Sequence, residues 1–454
     1  MRYASLAFAA ILAIVASILA WGAPNWATRL EHGWEGKLSS LSYAPFRRGQ
    51  SPYQGSVATP EQIDEDFRLL AERAGGVRTY TSLAGLEHAP EIARRHGLKV
   101  IQSAWLSRDR AANDREIAAL IDLANRYPDV IDRVIVGNEV LLRGELKPEE
   151  IVGYIRQVKA AIKQPVGYAD VSDKWLYERD ESDPVAAEID FLGVHILPYW
   201  ENEPQDVEHT AVFVRRVIDE VKREHPGRTI LIGETGWPTA GRQRGPAVPS
   251  LTNMARFLAA FQEVARETGA DYNIIEAFDQ EWKSTQEGTM GANWGLFGVD
   301  RTPKLPDGGV IVDNPNWPLH CAVATLFGLA MLGWFQRYRA GWLAQSAFAL
   351  AAQAVAGVLV AAFVMAWSRA YWPSRALFDA AEFALAAAYG LLLLWTLAEW
   401  LGGQPPRRPV TPLVDLGPGL ARDPRGHAEQ ALHFLLALTA IGLTLLLVLE
   451  GRYR

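Results

Sequence analysis

The hydrophobic pattern divides this chain into two unlike parts. Residues 4–21 form an uncharged apolar run, and further apolar runs follow at 317–335, 343–367, 377–399 and 431–449. Each is long enough to cross the roughly 30 Å hydrocarbon layer as a helix that satisfies its own backbone. The pattern therefore predicts one N-terminal and four C-terminal transmembrane helices. Between them, apolar residues come in short β-rich stretches separated by helical periodicity, which is the signature of parallel strands with crossover helices. Strands are predicted at 40–46, 76–80, 98–105, 132–139, 165–170, 190–199, 228–235 and 272–281.

Helices are predicted between them. One carries Thr59 as N-cap, Pro60 at its first position and Gly75 beyond its end. Another runs from Pro148 to Lys163, and others fit 112–127, 206–224 and 250–268. About eight such units match an α/β fold of the (β/α)8 TIM-barrel type. A doubly wound sheet would need a Gly-rich phosphate turn after an early strand, and the sequence has none. The expected domains are a transmembrane anchor or signal peptide at 1–25, a barrel at 36–312 and a four-helix membrane bundle at 317–451.

Composition adds little to this division. The single cysteine, Cys321, lies in an apolar run, so no intramolecular disulfide exists. A net charge of -7 without Lys/Arg clusters in the barrel argues against nucleic acid. Arginines do orient the chain. Arg337 and Arg339 between the second and third runs, and Arg407, Arg408, Arg422 and Arg425 between the fourth and fifth, place those loops in the cytoplasm. The barrel then faces outside a cytoplasmic membrane, in the periplasm or beyond. The bulky Trp21 and Trp26 and the lack of a small-x-small site favour a retained anchor over a cleaved signal peptide.

Barrel chemistry is built at the C-terminal ends of strands. Those ends hold Tyr43, Arg78, Tyr80, Trp105, Asn138, Glu139, Asp170, His195, Tyr199, Glu234, Trp237, Glu281 and Trp282. Glu139 in VIVGNEV ends the fourth strand and Glu234 in LIGETGWP the seventh, so the two face each other across the mouth. Two opposed carboxyls suit glycoside hydrolysis, with one protonating the leaving oxygen and the other attacking the anomeric carbon. Glu139 is read as acid/base and Glu234 as nucleophile, with Asn138 donating to a sugar hydroxyl. Mutual repulsion and burial are expected to raise the acid's pKa. Tyr43, Tyr80, Trp105, Tyr199, Trp237, Trp282 and Trp294 offer faces on which sugar rings stack. Arg78 and Asp170 are either sugar contacts or scaffolding, and His195 is read as a core histidine. No metal-ligand spacing, Ser/His/Asp elbow or P-loop stands in the sequence, so neither metal nor cofactor is expected.

The segments VGNEVLLRGE, GETGWPTAG, EAFDQEWK and NWGLFGVDRTPK resemble, in order, signatures of family 17 glycoside hydrolases, the β-1,3-glucanases and β-1,3-glucanosyltransferases. The resemblance covers roughly residues 38–305 and leans toward microbial members. It implies a β-1,3-glucan substrate, the same roles for Glu139 and Glu234, and places for Glu281 and Lys283 beside the pair. The membrane runs depart from the secreted relatives. They open a rival reading, a non-catalytic glucan-binding subunit docked in the lipid bilayer to a membrane glucan synthase or exporter.

Overall fold

The computed structural model describes residues 2–29, 36–305 and 310–404. It divides into two compact units, Ala27–Asp313 and a second made of Met1–Trp26 with Asn314–Arg454. The chain opens with helix α1 (Arg2–Gly22) in the second unit. The first unit is then closed at its ends by β1 (Thr28–Arg29), which pairs antiparallel with β10 (Val310–Ile311).

Eight parallel strands lie between: β2 (Ser40–Ser42), β3 (Gly76–Arg78), β4 (Lys99–Ala104), β5 (Ile131–Asn138), β6 (Val166–Val171), β7 (Phe191–His195), β8 (Thr229–Thr235) and β9 (Asp271–Ile274). They form a closed barrel in sequence order, with β9 returning to β2 through Ser40 beside Asn273 and Leu41 beside Ile274. The eight predicted strands are all present. Strands buried on both faces read as nearly unbroken apolar runs. In β5, Val134 and Val136 face the surrounding helices, while Ile135 joins Ile101, Ala169, Phe191 and Leu231 inside the barrel.

The outer helices are α2 (Pro60–Leu70), α3 (Ala89–His96), α4 (Arg110–Arg126), α5 (Pro148–Ala161), α6 (Ser172–Leu176), α7 (Arg179–Ala186), α8 (Thr210–Glu224), α9 (Leu251–Thr268) and the short α10 (Ser284–Glu287). Thr59 caps α2 in a reciprocal box with Gln62. Helices α3, α6 and α7 escaped the sequence reading because they are only five to eight residues long, too short for periodicity to register.

Three predicted strands run too far. Those at 40–46, 190–199 and 272–281 end at Ser42, His195 and Ile274. Beyond Ile274 the regular ladder gives way to mixed pairing: Ile275 N–H still reaches the Thr235 carbonyl and Ala277 N–H that of Ser42, while Glu276 N–H donates to the Trp294 carbonyl and Leu296 N–H to that of Glu276. Past the end of β2, Tyr43 is fully buried, edge-on to Phe67, and its hydroxyl donates to Asp66 at 3.0 Å. Asp66 also holds Arg301 through two contacts of 2.9 Å, which ties α2 to the segment closing the barrel. Tyr43 is thus a core residue and no sugar contact.

In the other unit α1 is joined by α11 (Trp317–Phe335), α12 (Trp342–Arg369) and α13 (Pro373–Leu401). These four helices are long and apolar enough to cross a membrane. Small residues let backbones approach, with Ala9, Ala13, Ala349 and Ala352 all fully buried. Ser17 of α1 accepts from Thr325 of α11 at 2.8 Å and from Gln353 of α12 at 3.0 Å. The predicted fifth run, 431–449, lies outside the described residues.

Candidate active site

The end of β5 turns sharply at Gly137-Asn138-Glu139. Gly137 has φ +94°, and a Cβ there would stand 2.9 Å from Val140 and 3.2 Å from the Tyr168 ring. Glu139 itself has φ +53°, an uncommon conformation for a side-chain-bearing residue that clusters at functional sites. Its surroundings hold the turn in place. Tyr168 accepts from Leu141 N–H at 2.9 Å and donates to Asp170, while Arg143 donates to the Leu106 carbonyl at 2.9 Å and to the Asn138 carbonyl. Gly137→Ala is expected to cost about 1–3 kcal/mol through this crowding, read as a lower thermal midpoint.

Glu234, at the end of β8, is held by the Tyr80 hydroxyl at 2.8 Å and by Arg78 at 3.4 Å. Arg78 is fully buried at the end of β3 and also donates to the Gly233 carbonyl at 2.6 Å and to Asn138 Oδ1. Asn138 therefore gives its carbonyl oxygen to the scaffold. His195 ends β7 between the carboxylates, with Nδ1 2.9 Å from Glu139 Oε1 and Nε2 3.7 Å from Glu234 Oε1. Gly233 leaves room for that ring, since a Cβ there would approach His195 Cδ2 to 2.9 Å. Glu139, Glu234 and His195 each bring one donor atom within 4.8 Å of the others.

Burial alone would raise the Glu139 carboxyl, but the hydrogen bond and charge of His195, with Arg143 and Arg78, outweigh it and hold the group below its usual value. This reverses the expected rise, because His195, Arg143 and Arg78 stand close enough to outweigh both burial and the second carboxylate. His195 is affected the opposite way. Burial lowers its pKa, yet Glu234 and Glu139 overcome this and raise it. Asp170 is pushed up to about 6 by burial, against the hydrogen bond from Tyr168.

The Glu139, His195 and Glu234 cluster is also the group whose donor atoms come close enough together for a cation among the described residues. Spacing along the chain hid it, since three different strands supply it. The chemistry present already balances the charge differently: the Arg78 cation and Tyr80 both occupy Glu234 Oε1, and His195 Nδ1 is engaged by Glu139.

A cavity of about 600 Å³ opens over the pair, walled by Leu142, Trp200, Glu201, Lys283 and Trp294. Lys283 sits in it with its ammonium 2.8 Å from both oxygens of buried Glu276. Burial raises Glu276 to about 7 against the attraction of Lys283. Of the two residues expected beside the pair, Lys283 is in the cavity wall and Glu281 is not. Glu281 instead lies 3.2 Å from Arg48, because a single 3-10 turn at Glu281–Lys283 points the two side chains apart. Trp282 is half-buried, edge-on to Phe46 and Tyr53.

Three other stacking candidates fail for lack of an exposed face, one of them Trp294, which is 2% exposed and donates to Met290 Sδ at 3.0 Å. Tyr199 and Trp237 are 1% and 0% exposed and spend their polar atoms on the Arg242 and Val248 carbonyls. Trp105 keeps an accessible ring at the rim, 38% exposed, with Arg143 4.3 Å above it. Sequence reasoning missed Trp200, Glu201 and Glu276. The first two directly follow a residue that was chosen, Tyr199, and the third stands in the EAFDQEWK segment.

A family profile described as the BtgE/BtgC glycoside hydrolase domain matches residues 40–295. Curated relatives include a probable beta-glucosidase btgE of Aspergillus flavus, 26% identical over 278 residues that make up 60% of this chain and 44% of that protein. A glucan 1,3-beta-glucosidase of Schizosaccharomyces pombe is 29% identical over 255 residues, 52% of this chain and 78% of the relative. The chain thus spans less than half the length of the Aspergillus proteins it matches. Among solved structures, an active-site mutant of the Rhizomucor miehei β-1,3-glucanosyltransferase in complex with laminaritriose aligns with TM-score 0.52 and 27% identity, over 61% of this chain and 97% of that one. An endo-laminarinase from Formosa, 21% identical with TM-score 0.51, shares the fold.

Proposed function

We propose, for a chain that belongs to the BtgE/BtgC glycoside hydrolase domain family, that the barrel cleaves or transfers β-1,3-glucan with retention at the anomeric carbon. One observation carries the reading: carboxyl oxygens from the ends of β5 and β8 stand within 4.8 Å of each other at the floor of an open cavity. That is the close spacing of retaining enzymes, about 5–5.5 Å, and leaves no room for the extra water of inverting ones.

Glu234 is the nucleophile. Tyr80 and Arg78 fix one of its oxygens, which leaves the other to attack the anomeric carbon while the bond to the leaving sugar breaks. Glu139 gives the leaving oxygen its proton. In the second step the Glu139 carboxylate takes a proton from water or from an acceptor hydroxyl, whose oxygen bonds to the anomeric carbon as the ester to Glu234 opens. Trp200 in the cavity wall and Trp105 at the rim offer exposed rings for sugar faces. The substrate class rests on the laminaritriose bound by the Rhizomucor enzyme and on the named activity of the Schizosaccharomyces relative.

The four apolar helices fasten the enzyme to a membrane, with the Arg337 and Arg339 loop cytoplasmic and the barrel on the opposite face, where exported glucan passes. Full-length protein in detergent is expected to consume laminari-oligosaccharides and leave cello-oligosaccharides intact, as followed by mass spectrometry. Products longer than the substrate identify transfer, and shorter ones alone identify hydrolysis. Failure to consume any β-1,3 oligosaccharide ends the proposal.

A further inference from the structure

His195 is buried, ends a strand facing neither solvent nor helix core, and touches both carboxylates, a placement that packing alone does not call for. Resting on the assignment of Glu139 as acid/base, we propose that His195 is the positioning residue for Glu139 and that the two share the proton delivered to the leaving oxygen.

In the tautomer that fits the contacts, Nδ1–H donates to Glu139 Oε1 at 2.9 Å, which leaves Oε2 as the oxygen that meets substrate. Nε2 faces Glu234 Oε1 at 3.7 Å and Arg78 Nη1 at 3.5 Å. One transferable proton then has two resting places, Nε2 beside Glu234 or Oε2 beside the leaving oxygen, with Nδ1–H bonded to Oε1 in both. Such a pair titrates as a unit. The charges around it are Glu234 on β8, Arg78 on β3, Asp170 on β6 and Arg143 after β5, with Glu287 and Lys283 facing the pair across the cavity.

Burial works against imidazolium, but the two glutamates hold the His195 proton above the ordinary imidazole range. The pair keeps its proton until that group is lost, so the basic limb of kcat/KM lies above about 6.5 although the acid is a carboxyl. Asparagine at 195 keeps a donor toward Oε1 but holds no proton. Glu139 then titrates alone, and the limb falls toward the carboxyl range.

The test uses full-length His195→Asn and His195→Phe. His195→Asn is expected to move the basic limb down by at least about one pH unit on laminari-oligosaccharides. His195→Phe is expected to lose about 10- to 100-fold in kcat on those substrates and far less on a 2,4-dinitrophenyl glycoside, whose leaving group needs no proton. A basic limb unmoved in His195→Asn overturns the inference, as does Asp170→Asn moving it equally. If His195→Phe does not fold, the asparagine profile decides alone. Glu139→Ala separates the two levels: full activity there on laminari-oligosaccharides removes the acid/base assignment itself, whereas impaired activity with an unshifted His195→Asn profile removes only the role of His195.

Discussion

Glu234→Gln is expected to lower turnover of laminari-oligosaccharides by about 10⁴-fold or more while leaving the barrel folded. With Glu234 as the proposed nucleophile, its removal abolishes the covalent intermediate outright, and losses of this order follow when one member of a catalytic group goes. The amide is nearly isosteric and still accepts from Tyr80 and Arg78, which now hold Glu234 at 2.8 and 3.4 Å. Laminaritriose affinity, measured by calorimetry, should therefore persist as kcat collapses. Undiminished kcat would place the nucleophile elsewhere. Loss of affinity in proportion to kcat would show that Glu234 binds sugar and does not attack it.

Arg78→Met has the second large expected effect, and it falls on stability as well as activity. The guanidinium is completely buried and serves the Gly233 carbonyl at 2.6 Å, Glu234 at 3.4 Å and the Asn138 side chain. Methionine fills the volume but withdraws the cation: Glu234 keeps only Tyr80 at 2.8 Å, the Gly233 carbonyl keeps Asn273 at 3.1 Å, and the Asn138 oxygen loses its partner. Breaking a buried ion pair by removing one partner costs about 3–5 kcal/mol, because the remaining charge stays desolvated. The thermal midpoint of the barrel is expected to drop on the order of 10 °C. A midpoint within 2 °C of wild type, by the same scaling of about 2–4 °C per kcal/mol, would mean that Glu234 finds other compensation.

Both variants probe a site whose outline was legible before any coordinates. Strand ends could be read because a parallel barrel strand is apolar until it emerges, and the first polar residue marks the emergence: Asn138 after Val136 and Gly137, Glu234 after Ile232 and Gly233. The same rule overshot where extended backbone continues past the ladder. Residues 275–280 look like strand but share their backbone bonds between the neighbouring barrel strands and the 292–297 segment, and Glu276, read as mid-strand, is instead buried against Lys283.

Aromatic residues were the least readable. Tyr43, Tyr199 and Trp237 have the composition of sugar platforms, yet each turns into the packing beside the mouth. A ring's identity says nothing about which of its faces is covered.

Local order along this chain thus determined the eight strands, the apolar spans and the two opposed glutamates, since each depends on a run of neighbouring residues whose pattern is printed in one stretch. The proton chemistry around those glutamates was decided only by tertiary structure. Arg78, His195 and Glu234 belong to three separate strands, and their charges act through distances of 3.4 to 3.7 Å that exist once the barrel closes. Electrostatic energy depends on separation in space, and separation in sequence carries no trace of it.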